Sequence, residues 1–157
     1  MDTVYLNGDY LPKQNAKISI MDRGFLFGDS IYEIIPNHCG KLIGAEEHYT
    51  RMQQSLNAVL IDCPFKTLAA LTDVCYQLIE RNQQQQTDCG IYFQISRGAE
   101  EHRFHRIPDN ITPTIAAFCI NVYTHPYDEL IKGFKAITRE DLRRDTNFIK
   151  SNALIAN

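Results

Sequence analysis

The apolar residues of this chain change their spacing twice, and that change restricts the folds open to it. Through Ile43 they alternate with polar residues or cluster between turn signals, as strand residues do. Val4 to Leu11 predicts a strand pair closed by Asn7-Gly8, and Lys17 to Met21 alternates like a half-buried strand. Cys39-Gly40 predicts a second hairpin turn, returning through Lys41 to Ile43. Tyr49, Met52, Leu56 and Val59 then recur at helical spacing, which predicts an amphipathic helix from about Glu46 to Leu60, with Glu46 and Glu47 favourably placed in its first turn. A second helix, about Thr67 to Asn82, carries Leu68, Leu71, Cys75, Leu78 and Ile79 on one side. Sheet returns at Gly90 to Ser96, ended by Arg97-Gly98, and at Thr112 to Tyr123, whose apolar centre predicts an internal strand.

The remaining segments are connections or new beginnings. Gln83 to Gln86 reads as a solvated loop and Ala99 to Asn110 as a polar, histidine-rich one. Thr124 to Asp128 reads as a linker, Gly133 to Thr138 as a new strand, and Phe148 to Asn157 as the start of a further element. The expected class is α+β: an antiparallel β-sheet with two helices over residues 1–121, then the opening of a second domain over 122–157. Leu154 to Ala156 would need apolar cover, which suggests that the chain is a fragment of a longer fold.

A chain of 157 residues has room for one ordinary core, and 44% hydrophobic with 22% charged residues fits a soluble globular protein. A net charge of -3 weighs against nucleic acid as the main partner. No apolar run reaches membrane-spanning length, and Met1 to Val4 lacks the features of a signal peptide, so a cytoplasmic location is expected. The five cysteines are scattered and odd in number, which favours reduced thiols over a disulfide framework. None has paired metal-ligand spacing, so no zinc site is expected.

Chemistry is most densely suggested between Asp22 and Pro36. Gly24 and Gly28 allow a tight loop, and Ser30 to Ile35 reads as a strand stopped by Pro36. Such a strand delivers Tyr32 or Glu33 to a buried face; by periodicity alone it is a turn and a core strand. Arg23-Gly24, Phe27-Gly28-Asp29 and Tyr32-Glu33 together resemble the signature of the fold-type IV (class IV) pyridoxal-phosphate-dependent aminotransferases. That family includes D-amino-acid and branched-chain aminotransferases and aminodeoxychorismate lyase. The resemblance runs from about Val4 to Asn157, whereas the family fold continues through a second domain.

Five residues take roles from that resemblance. Lys150 by itself is a lysine between apolar neighbours, Phe148, Ile149 and Leu154, and most lysines are solvated. Ile149 to Asn152, after Glu140 to Arg143, resembles the family segment whose lysine binds the cofactor covalently, a role suited to a desolvated amine. Family members often carry a tryptophan and a cysteine where this chain has Arg144 to Phe148, a departure that bears on the substrate pocket. Arg51 could be an exposed helix arginine paired with Glu47; its His48-Tyr-Thr-Arg51-Met52 setting resembles the family segment whose arginine contacts the cofactor phosphate, and a bidentate guanidinium suits a phosphate monoester. The loop Arg103 to Pro108 resembles the D-amino-acid aminotransferase loop in which an arginine and a histidine hold the substrate carboxylate of the partner subunit. This assigns Arg103 and His105, with His102 as the other histidine; without the resemblance the loop is a solvated charged one. Tyr32 matches the tyrosine that faces the carboxylate, and is otherwise a sheet tyrosine with its hydroxyl at the rim.

The resemblance therefore implies a homodimeric, pyridoxal 5'-phosphate-dependent transaminase moving the amino group of a D-amino acid, such as D-alanine or D-glutamate, to a 2-oxo acid. The family acid opposite the pyridine nitrogen and the phosphate-cradling helix N-terminus lie beyond the lysine, so the 157-residue chain alone is expected to be inactive. Two other readings are an aminodeoxychorismate lyase on the same fold and a catalytically silent truncated domain.

Overall fold

The computed structural model describes residues 2–122, 125–138 and 148–153. Its centre is a six-stranded antiparallel sheet ordered β2-β1-β6-β5-β3-β4. β1 (Thr3–Leu6) and β2 (Asp9–Pro12) form the first hairpin across Asn7-Gly8, as expected. β3 (Ser30–His38) and β4 (Lys41–Leu42) form the second across Cys39-Gly40. β5 (Cys89–Ser96) pairs with β3 along eight residue pairs, and β6 (Thr114–Asn121) lies between β5 and β1, internal as its composition requires.

Two helices cover one face. α2 (Ala45–Ala58) buries Tyr49, Met52, Ser55 and Leu56. α3 (Leu68–Arg81) starts at Thr67, whose hydroxyl accepts from the Ala70 N–H, and buries Leu71, Val74, Cys75, Leu78 and Ile79. They meet Ile31 and Ile35 of β3 and Ile91, Phe93 and Ile95 of β5, one residue in two along each strand. The intervening residues, Tyr32, Ile34, Tyr92 and Phe118, form the opposite face and are only partly buried. The expected class, an antiparallel sheet with two main helices, is thus the observed one.

Four expectations require correction. Gly24 and Gly28 bound no simple loop: α1 (Arg23–Phe27) is a single helical turn, capped by the Asp22 carboxylate on the Gly24 N–H and ended by Gly28 at φ 67°. Pro36 does not stop β3. Its carbonyl accepts from Ile43 on the β4 side, and the N–H and C=O of a strand residue share a side, so the N–H that proline lacks removes no bond to β5. Residues 17–21 and 133–138 form no strand among the described residues: no neighbour supplies a ladder, and Ile20 and Ile137 stand 74% and 78% exposed. Part of the expected linker is instead α4 (Tyr127–Lys132), with Asp128 and Glu129 in its first turn and Lys132 in its last, each favourable for the helix dipole. The expectations for residues 139–147 and 154–157 lie outside the described residues.

Candidate active site

Because β4 pairs only with Asn37 and His38, the first half of β3 has a free edge. The segment carrying Lys150 lies along it. The Tyr32 N–H donates to the Lys150 carbonyl at 2.9 Å, the Asn152 N–H donates to the Ser30 carbonyl at 3.2 Å, and Ser151 bridges Ile31. From the helix side, the Ser55 hydroxyl accepts from the Lys150 N–H at 3.1 Å. A backbone tied on both flanks limits where the side chain can go. The Lys150 Nζ sits 4.2 Å from the centroid of the Tyr32 ring, a cation–π contact that leaves the amine with no hydrogen-bond partner among the described residues.

Tyr32 is held in turn. Its ring stacks on Tyr92 at 5.8 Å, and Tyr92 packs against Phe118. The Asn152 side-chain amide donates to the Tyr92 hydroxyl at 3.0 Å, while its Oδ1 is buried without a partner among the described residues. Burial raises the Tyr92 pKa above the usual phenol value, more than the Asn152 bond lowers it.

Glu33 points to the other face of β3 and is fully buried. It accepts from Arg51 Nε at 2.9 Å and Nη2 at 3.0 Å, and lies 2.6 Å from His48 Nδ1. Arg51 is thus fixed by Glu33, not by Glu47. Its side chain is 46% exposed, and its Nη1 makes no hydrogen bond among the described residues. The bidentate pair sets the guanidinium plane and leaves one edge available to an anion. Arg51 and Lys150 share no hydrogen bond; they are linked through Ser55, one turn after Arg51 on α2, and through the adjacent residues Tyr32 and Glu33.

Arg103 and His105 stand together over Phe27 and share no hydrogen bond or ring contact with Lys150 or Tyr32 among the described residues. Arg103 lies 4.7 Å over the Phe27 ring, and the His105 ring meets Phe27 at 5.4 Å. Both side chains are exposed. Their loop is held from beneath by Arg23, which donates to Glu100 at 2.7 Å and to the carbonyls of Phe104, His105 and Arg106. Arg23 also donates to Asp29, which receives Arg97 on its other side. Burial alone would raise the Asp29 pKa; the bonds from Arg97 and Arg23 outweigh it and hold the carboxyl below the usual range. Burial works against the Arg23 charge in the same way, and Asp29 and Glu100 outweigh it, raising its pKa.

Ser55 escaped the sequence reading of the site, whereas Glu33, Arg23, Asp29, Asn152 and Arg97 stood within its motifs without the contacts found here. Glu33 alone left a signal there: it occupies the same alternation as Ile31 and Ile35, so a charge falls in an apolar register.

The amino-transferase class IV family model matches residues 30–157. The D-alanine aminotransferase of Staphylococcus haemolyticus is 39% identical over 158 residues, covering 100% of this chain and 54% of the relative. The chain therefore spans about half the length of the curated relatives it matches. Among solved structures, the Escherichia coli branched-chain amino acid aminotransferase aligns with a TM-score of 0.69 at 18% identity, over 77% of this chain and 41% of that one. A hypothetical aminotransferase of Mycobacterium tuberculosis, in a PLP-bound form, aligns with a TM-score of 0.62 at 20% identity, over 77% and 40%.

Proposed function

The chain belongs to the amino-transferase class IV family, and we propose that the whole protein is a pyridoxal-phosphate-dependent transaminase acting on D-amino acids, D-alanine and D-glutamate foremost. The observation that carries this reading is Lys150 pinned along the edge of β3, with its amine on the Tyr32 ring. Residues 1–121 act as one domain and 122–157 lead into a second.

The site's own chemistry fits the cofactor. Lys150 offers a primary amine to its aldehyde, and Arg51 offers to its phosphate an Nη1 that is unused among the described residues. When bound, pyridoxal phosphate supplies the electron sink that makes the substrate Cα–H acidic. The Lys150 amine takes that proton from Cα, as base, and delivers one as acid later in the cycle. Ser55 and Tyr32 hold the Lys150 backbone while this happens, so the amine swings on its side chain alone. Tyr32 places its hydroxyl at the open face of the sheet, where a substrate carboxylate would lie. Arg103 and His105, which share no hydrogen bond or ring contact with Lys150 among the described residues, read the carboxylate in a neighbouring subunit. The protein works as a homodimer, which also gives cover to the exposed Ile18, Ile20 and Phe25. It works in the cytoplasm, in keeping with five free thiols.

The test uses the full-length protein with pyridoxal phosphate, assayed with D-alanine and 2-oxoglutarate and, separately, for pyruvate release from aminodeoxychorismate. Amino transfer from D-alanine supports the proposal. Pyruvate release alone would make the protein a lyase, and failure to bind the cofactor would make it a silent domain.

A further inference from the structure

The turn between β3 and β4 carries a side-chain group that transamination does not use. His38 ends β3, Cys39 takes the first turn position at φ 45°, and Asp88 stands just before β5. The His38, Cys39 and Asp88 ligand atoms lie within 4.8 Å of one another. His38 Nδ1 is 2.8 Å from Asp88 Oδ1, and the Cys39 thiol reaches Asp88 Oδ1 and the Gln86 carbonyl, each at 3.8 Å.

The arrangement is braced from below. Asn37, buried in β3, donates to the carbonyls of Gln84 at 3.2 Å and Thr87 at 2.9 Å, which ties the Gln84–Asp88 loop to the strand. Gly40, at φ 85°, passes so near that a Cβ there would lie 3.0 Å from the Gln85 carbonyl oxygen. Turn and loop therefore keep a set distance. Cysteine is also an unexpected residue for its place. A positive φ in a two-residue hairpin suits asparagine, aspartate or glycine, and an exposed Cys39 fills no core.

We propose that His38, Cys39 and Asp88 form a surface site for a divalent transition-metal ion of the zinc class. Imidazole, thiolate and carboxylate are all zinc ligands, and three of them leave a fourth position for water, with the Gln86 carbonyl beside it. Zinc bonds of about 2.0–2.3 Å in a tetrahedron separate ligand atoms by roughly 3.3–3.7 Å. The His38–Asp88 contact need open only slightly, and the Cys39–Asp88 contact close slightly, to meet that spacing. On binding, the Cys39 S–H bond breaks, its electron pair goes to the metal and its proton to the buffer. His38 ligates through Nδ1 with its proton on Nε2. No oxidant is required.

The expectation of no zinc site rested on spacing along the chain, and Cys39 and Asp88 are 49 residues apart in it. They meet because β3 and β5 are antiparallel neighbours whose Asn37 and Cys89 stand opposite each other. The other thiols are poor competitors. Cys75 and Cys89 are buried, and burial pushes the Cys119 pKa up to about 12.

The full-length protein, stripped by a chelator, is titrated with Co2+ as a spectroscopic stand-in for Zn2+. One equivalent is expected to produce a tetrahedral cobalt spectrum with a thiolate-to-cobalt band, which Zn2+ then bleaches. Cys39→Ser should remove the band, and the control Cys63→Ser should retain it. His38→Ala and Asp88→Asn should each weaken binding by about tenfold or more. Transaminase activity should be unchanged in all three ligand variants, which separates this site from Lys150. Absence of the band, its survival in Cys39→Ser, or undiminished affinity in His38→Ala would overturn the assignment.

Discussion

Asp29 and Glu33 stand four positions apart, each buried or nearly so, and each facing arginine. Asp29 is closed in: Arg23 and Arg97 grip it, and both guanidiniums are only 5% exposed. Their remaining donors go to Glu100 and to the carbonyls of Val59, Leu60 and the Phe104–Arg106 loop. Glu33 is left open on one side. Its arginine is 46% exposed and keeps Nη1 unused among the described residues, and on the neighbouring Tyr32 the Lys150 amine has the ring as its partner among those residues. A closed charge group fixes loops and strand ends, whereas an open one retains capacity for a ligand. The contrast agrees with the proposed function, in which Asp29 fixes architecture and the Lys150–Tyr32 edge is the proposed seat of the chemistry.

The largest test of that division is a pair of variants with opposite expected losses. Lys150→Ala should lower transamination by roughly a hundredfold to ten-thousandfold, the usual worth of a general acid–base group, and abolish covalent cofactor attachment while the urea midpoint stays put. Borohydride trapping followed by peptide mass gives the attachment site, and cofactor found on another lysine would break the comparison. Asp29→Ala should do the reverse. It strands two buried guanidiniums and should cost about 3–5 kcal/mol of stability, read from urea unfolding.

Acidity sharpens the same point. The folded Asp29 carboxyl titrates below its unfolded value, so its stabilisation is complete above about pH 4 and is lost as pH falls through the lower folded value. Asp29→Asn should therefore flatten the fall in stability below that pH. An unchanged acid limb would mean that Asp29 is not the group protonated there.

Arg51→Ala comes next. Removing a charged donor should weaken pyridoxal phosphate binding by about 1.5–3 kcal/mol, tenfold to more than a hundredfold. Arg51→Lys should restore only part of this, because an ammonium cannot hold Glu33 and a phosphate with one rigid fork. Equal affinity in wild type and Arg51→Ala, by fluorescence titration, would remove Arg51 from the site.

How far the sequence reveals this arrangement depends on the range of each interaction. α2 and α3 are legible because Tyr49, Met52 and Leu56, and then Leu71, Cys75 and Leu78, repeat over several turns. β5 is legible because Ile91, Phe93 and Ile95 alternate with partly exposed residues. α1 is not, since five residues are too few to display a period. Ile18 and Ile20 mislead because alternation describes what a strand would bury, while strand formation needs a partner. At the site, Lys150, Tyr32 and Arg51 could be named through resemblance, but their fastening could not. Ser55 meets Lys150 across 95 residues and Asn152 meets Tyr92 across 60, and no local pattern encodes such contacts.

The smallest expected effect concerns Tyr32, on the open side of the comparison: its ring supports Lys150 and its backbone is part of the sheet. Tyr32→Phe keeps the ring, its stack on Tyr92 and the backbone bond to Lys150, so neither stability nor cofactor attachment should change. It removes only a hydroxyl that has no partner among the described residues. If that hydroxyl serves the substrate carboxylate, KM for D-alanine should rise by an amount worth about 0.5–1.5 kcal/mol, with kcat nearly unchanged, the pattern of a binding contact equal in ground and transition states. A fall in kcat at constant KM would instead assign Tyr32 to the placement of the Lys150 amine, through the 4.2 Å ring contact.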